Sequence, residues 1–297
     1  MNLAPVILFV YNRPWHTTKT LEALGKNELA KDSDLIIYAD AAKKEEHRED
    51  IEQVHHIIDN ATGFKSIHII KQKQNLGLSE SVIQGVTATV EKYGKAIVLE
   101  DDMVTSPVFL RYMNAALDKY KNNDEVICIH GYNYPIQSAL PSTFFLNGAD
   151  CWGWATWKRG WDLFEHDGKK LLAELKGKKL LYQFNYNNTF DFERMLNNQI
   201  EGKNDSWAIR WYASALINHK LTLYPGQSLI QNIGLDNSGV HSKNDAHFVH
   251  EKLQNTLPVL SDSIKHDASA YNAICNYFSG HLNLLTKLKF TIRHFTR

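Results

Sequence analysis

The stretch Ile97-Val98-Leu99-Glu100-Asp101-Asp102 sets the reading of the chain. Its apolar part has no polar face, as in a strand buried on both sides of a helix-covered parallel sheet. Three acids follow at once, with no basic residue beside them. Two unit charges ~4 Å apart repel by about 4 kcal/mol at an effective dielectric near ~20. Acids so placed face solvent, favour a helix N-terminus, or hold a cation. An oxygen-only cluster with few ligands suits Mg2+ or Mn2+, which complete their shells with water and substrate phosphates.

The same pattern recurs on the N-terminal side. Residues 5–11 and 35–39 read as buried strands, 67–70 as a third strand, and 126–129 as another on the far side. Between them Ile51, Val54 and Ile58, then Ile83, Val86, Val90 and Tyr93, then Leu110, Met113 and Leu117 fall at helical spacing. Asn12 can cap the first helix and Pro14 fits its first turn; Pro107 opens the third of these helices. The alternation predicts an α/β fold with a Rossmann-like, mostly parallel sheet flanked by helices. Ligands of such sheets sit at the carboxyl ends of the strands. Asn12-Arg13, Asp40, Asn75 and Glu100-Asp101-Asp102 are therefore expected on one rim.

Past residue 131 the periodicity weakens and Tyr, Trp, Gly and Asn dominate, residues 169–200 excepted, which read as helical. This half reads as an acceptor-side lobe on the same sheet. The expected division is a nucleotide-sugar-binding half (1–103), an acceptor-binding and catalytic half of the same domain (104–245) and a C-terminal helical tail (246–297).

Lys+Arg and Asp+Glu both total 33. A zero formal charge argues against a nucleic-acid partner, which calls for a basic excess. Cys128, Cys151 and Cys275 have neither zinc spacing nor an even count for disulfides, which points to reduced thiols in the cytoplasm. No stretch approaches the roughly 18 apolar residues of a membrane span. After Asp267 there are no acids, while Lys287, Lys289, Arg293 and Arg297 accumulate beside apolar residues. That tail is suited either to peripheral contact with an anionic membrane or to packing on the body.

Arg13 offers a donor fork for a base edge or phosphate, or is a surface arginine. Asp40 suits a base or ribose, or the cap of the next helix. Asn75-Leu76-Gly77-Leu78-Ser79 allows close backbone approach and places a helix N-terminus toward an anion, or is a plain turn. No phosphate-loop or Gly-x-Gly-x-x-Gly motif occurs, which weakens ATPase and dinucleotide readings. Trp152, Trp154, Trp157 and Trp161 include sugar-stacking candidates, though most tryptophans are core residues. Asp205, in Asn204-Asp205-Ser206-Trp207, suits a general base in an aromatic, weakly charged setting, or caps the helix that follows. Residues 234–242 carry Asp236 and His241; His241 can ligate a metal or serve structure.

PVILFVYNRP (5–14), NLGLSE (75–80) and IVLEDDMVTSPVFLRYM (97–113) together resemble the family 2-like glycosyltransferases of A-type fold. They are also similar to the N-acetylglucosaminyltransferase I family. NGADCWGWATWKRGWDLF (147–164) resembles that family's Gly-Trp acceptor segment, and KNDSWAIRWY (203–212) stands where it has a Trp-Asp-Asp-Trp carrying the base. The resemblance implies that Arg13 and Asp40 touch the nucleotide, that Asp102 binds the metal directly and that Asp205 is the base. From the residues themselves, Asn75, Ser79, Asp101 and Trp154 are expected to complete the donor side, and Glu100 and His241 to join Asp102 at a Mn2+ or Mg2+ ion. Ser206 and Asn204 depart from the base motif, with Asp205 its only acid.

The implied function is a metal-dependent hexosyl- or N-acetylhexosaminyltransferase of bacterial surface polysaccharide synthesis. It would move a sugar from a nucleotide diphosphate, UDP favoured, onto a glycan or lipid-linked acceptor with inversion. The alternatives are a catalytically silent carbohydrate-binding protein and a nucleotidyltransferase.

Overall fold

The computed structural model describes residues 2–236, 248–250 and 252–281. The strands and helices alternate as β1 (Val6–Val10), α1 (Pro14–Gly25), β2 (Asp34–Ala39), α2 (Arg48–Asp59), β3 (Ser66–Lys71), α3 (Leu78–Tyr93), β4 (Lys95–Glu100), β5 (Met103–Thr105), α4 (Phe109–Lys119) and β6 (Val126–His130). There follow β7 (Thr143–Asn147), β8 (Trp154–Trp157), α5 (Lys158–Trp161), α6 (Gly168–Gly177), α7 (Leu181–Phe184), α8 (Phe192–Ile200), α9 (Trp207–Ile217), β9 (Leu221–Pro225), β10 (Ile230–Asn232) and α10 (Ala268–His281).

Eight strands form one sheet in the order β3-β2-β1-β4-β8-β6-β9-β7. Its parallel pairs are β1 with β2 and β4, β2 with β3, and β6 with β9; β8 runs antiparallel between β4 and β6, and β7 antiparallel to β9. The sheet is thus α/β and mostly parallel, covered on both faces. Every residue of β1 and β6 is buried, as their unbroken apolar runs require. β5 and β10 form a separate antiparallel pair that follows the acids of β4.

Local signals held to different degrees. Pro14 occupies the first turn of α1, but the cap position falls to Arg13 and no side chain caps it; Asn12 is not the cap. α4 begins at Phe109, two residues after Pro107, where the Phe109 amide donates to the Ser106 carbonyl at 3.0 Å. The helical stretch expected over 169–200 is three helices, broken where Lys179, Tyr186, Asn187 and Asn188 take positive φ. The cost of that backbone in non-glycine residues is offset by packing of Phe184, Tyr186, Phe190 and Phe192 around Tyr212 and Phe278. No helix among the described residues is long and apolar enough to cross a membrane. His241 and residues 282–297 lie outside the described residues.

Candidate active site

At the end of β4 the three acids are clamped by backbone on two sides. Thr20 of α1 donates its hydroxyl to the Asp101 carbonyl at 2.7 Å, and the Ile233 amide donates to the Asp102 carbonyl at 2.9 Å. Arg13, leaving β1, turns its guanidinium between the carboxylates: Nη2 bonds Asp101 Oδ1 and, at 2.8 Å, Asp102 Oδ2. The triplet that looked unpaired along the chain is paired in space. Burial acts to lower the Arg13 pKa, but the charges of Asp101 and Asp102 outweigh it and raise it. Glu100 is pushed above the usual carboxylate range, by burial first and by Asp102 second, while the Trp207 indole donates to it. Asp101 is raised by burial against the opposing pull of Arg13.

Asp102 is 7% exposed and its Oδ1 has no hydrogen-bond partner. A buried anionic oxygen without a donor costs more than 1 kcal/mol, in the range of about 1–3 kcal/mol, and so points to a missing ligand. Gly234 lies against it: a Cβ there would run into the Asp102 carboxylate and the Arg13 guanidinium. Among the described residues no group of three or more His, Cys, Asp or Glu side chains could hold a metal ion. Of the expected ligands, Glu100 and Asp102 are described and His241 lies outside the described residues. Glu100 is engaged by Trp207, and Asp102 Oδ2 by Arg13. Asp102 Oδ1, left without a hydrogen-bond partner, would fit as one anchor for a divalent ion whose remaining ligands include substrate oxygens and water.

Asp40, after β2, is 7% exposed and saturated. Its Oδ1 accepts from the Ala41 and Leu76 amides, both at 2.9 Å, and its Oδ2 from Asn75 Nδ2 at 2.9 Å and the Gly77 amide at 2.8 Å. This carboxylate shapes the 75–77 loop. Asn75 also donates to the Ala41 carbonyl at 2.8 Å. Gly77 takes φ +80° as it enters α3, a conformation costly for a side chain. Ser79 is buried and accepts from Arg210 Nη2 at 2.7 Å.

Arg210 ties α9 to this loop, and Trp207 ties the same helix to Glu100. Asp205 stands just ahead of them. Ser206 caps α9, its hydroxyl accepting from the Ile209 amide at 3.3 Å, so Asp205 is not the cap. Asp205 Oδ2 lies 3.8 Å from where a Gly77 Cβ would be. Asp205 thus sits beside the 75–77 loop, two residues ahead of Trp207.

Trp154 is 1% exposed. It packs against Trp161, Trp207 and Trp211 with ring centroids 5.7, 5.4 and 5.9 Å away. The expectation that it stacks on a donor sugar is corrected: no face of the ring is open. Trp15, two residues past Arg13, is instead 57% exposed. Sequence reading passed over it because a single Trp in a helix pattern carries no signal of exposure. Two further contacts came to light only in space. Asp236, after β10, meets His16 Nε2 of α1 at 3.1 Å. Asp150 lies among tyrosines, accepting from Tyr224 Oη at 3.3 Å and from the Cys151 amide at 2.8 Å. His130 Nε2 is 3.7 Å from Asp150 and accepts from the Trp152 amide at 3.1 Å; burial lowers this imidazole's pKa.

No protein-family model matches the chain, and no curated protein matches it. Among solved structures, TarS from S. aureus aligns over 49% of this chain and 24% of its own, at 13% identity and a TM-score of 0.32. A mannosyltransferase from Pyrobaculum calidifontis in complex with GDP-Man and Mn2+ aligns over 45% of this chain and 39% of its own, at 10% identity and a TM-score of 0.30. A UDP-glucose pyrophosphorylase complexed with UDP-glucose aligns over 55% and 79%, at 10% identity and a TM-score of 0.31. The chain thus spans about a quarter of TarS and about two fifths of the mannosyltransferase. Likeness this distant assigns neither activity nor substrate.

Proposed function

We propose that this chain is a glycosyltransferase of A-type fold that takes a sugar from a nucleotide diphosphate, UDP favoured, to a hydroxyl of a glycan or lipid-linked acceptor with inversion. The observation that carries the reading is the unpartnered, buried Asp102 Oδ1 at the carboxyl rim of the sheet, with Arg13 bound to its other carboxylate oxygen. The free state of all three cysteines supports a reducing, cytoplasmic setting, and the setting fits surface polysaccharide synthesis.

The residues divide the work by position. The 75–79 loop and the N-terminus of α3 receive the phosphates, and the exposed Trp15 offers a ring face to the base. Asp102 holds Mn2+ or Mg2+, which when bound would neutralise the departing diphosphate. Arg13, already between Asp101 and Asp102, adds a second positive charge at that point. Asp205 accepts the proton of the attacking hydroxyl.

The test is calorimetry of UDP binding with and without divalent metal. UDP is expected to bind at least about tenfold more tightly with Mn2+, a difference of roughly 1.4 kcal/mol. Asp102→Ala should abolish that difference. Equal affinity of the unaltered protein in excess chelator would remove the metal from the reading. Arg13 would then be the group that neutralises the diphosphate.

A further inference from the structure

A cleft of about 800 Å³ opens between residues 135–138 and α10, away from the acid triplet. This volume is within the range of about 300–1,000 Å³ usual for small-ligand sites. On α10, Ser269, Asn272, Ala273 and Asn276 recur at helical spacing and line the cleft, while Ala270, Ile274, Cys275 and Phe278 bury the opposite face. Gln137 and Ser138 face them from the loop, and Tyr277 closes one side. None of the described lining residues is charged.

An amphipathic helix ordinarily turns charged residues to water. Here the outward stripe is amide, hydroxyl and methyl, facing a second wall. Carboxamides pair a donor with an acceptor, the complement of vicinal hydroxyl groups. A tyrosine ring offers its face to the C–H patches of a pyranose. The lack of charge among the described lining residues disfavours phosphate, nucleotide or uronic acid. Val249, 47% exposed, adds an apolar lip.

Aromatic contacts run from the cleft to Trp152, beside Cys151, whose thiol feels the charges of Glu100 and Asp102. Tyr277 meets Tyr134 at 5.8 Å between centroids, Tyr134 meets Tyr132 at 5.5 Å, and Tyr132 meets Trp152 at 4.7 Å. Trp152 lies next to the Asp150 segment.

We infer that this cleft binds a neutral oligosaccharide and holds the distal sugars of the acceptor. Its place as an acceptor subsite rests on the transferase reading; glycan binding itself does not. The experiment is a printed array of neutral and anionic oligosaccharides, read with the full chain and without nucleotide or metal. Calorimetry with the strongest neutral oligosaccharide follows. Binding confined to neutral glycans is expected. The double variant Asn272→Ala/Asn276→Ala should weaken it at least tenfold at an unchanged melting temperature. Tyr277→Phe should retain it, because the ring is kept. No array binding, binding dominated by anionic glycans, or binding unaffected by the double variant would each overturn the inference. Donor turnover does not enter the test, so failure of the transferase reading and failure of this one are told apart.

Discussion

Asp205→Asn is expected to lower kcat by about 10²–10⁴-fold, the usual contribution of a positioned acid–base group. A hydroxyl that attacks an anomeric carbon must lose its proton near the transition state, and an amide of the same shape cannot take it. The substitution leaves the fold intact, because Ser206 caps α9 and the contact from Arg210 Nη2 is to the Asp205 backbone carbonyl, at 3.4 Å. Asp205 lies beside Gly77, so a modest change in donor affinity is also expected, smaller than about tenfold. The measurement is steady-state transfer with separate kcat and KM. Full turnover in the variant would pass the base role to Asp150, which is 23% exposed in its side chain and sits among tyrosines.

Trp154→Ala should cost about 3–5 kcal/mol of stability, the range for removing a large aromatic side chain from a core. Three other tryptophan rings and Phe164 share its cluster, so a cavity there cannot close by a small shift. A guanidinium titration should show a lower midpoint with an unchanged slope. Unaltered stability together with weakened donor binding would restore the sugar-stacking role that burial argues against.

The N-terminal half was legible because β1, β2 and β4 are apolar in their interiors and its helices keep a 3.6-residue period; β3, at the sheet edge, has no fully buried residue. Arg13, Asp40, Asn75 and Glu100-Asp101-Asp102 could be placed on one rim from strand ends alone. What the pattern did not carry was pairing at long range. Arg13 and Asp102 are 89 positions apart, and nothing local says that the guanidinium fills the acid cluster. Asp40 could be placed at a strand end, but three of its four hydrogen bonds come from a loop 35 or more residues away, which no local pattern signals. β7 and β8 escaped notice for another reason. Their five and four residues are too short for a period, and β8 is half tryptophan. Burial of Trp154 and exposure of Trp15 are likewise tertiary outcomes that composition does not distinguish.

The antiparallel β8 between β4 and β6 has a consequence for how the chain comes together during synthesis. When β4 has left the ribosome it can pair with β1, but its other edge stays open until Trp154–Trp157 arrives, more than 50 residues later. An unpaired apolar edge is a template for other chains. A fragment ending at residue 103 would carry that edge permanently and is expected to self-associate where the full chain does not. The order of synthesis makes β8 the strand that joins the two halves of the sheet, and nascent chains shorter than it are the ones most in need of a chaperone.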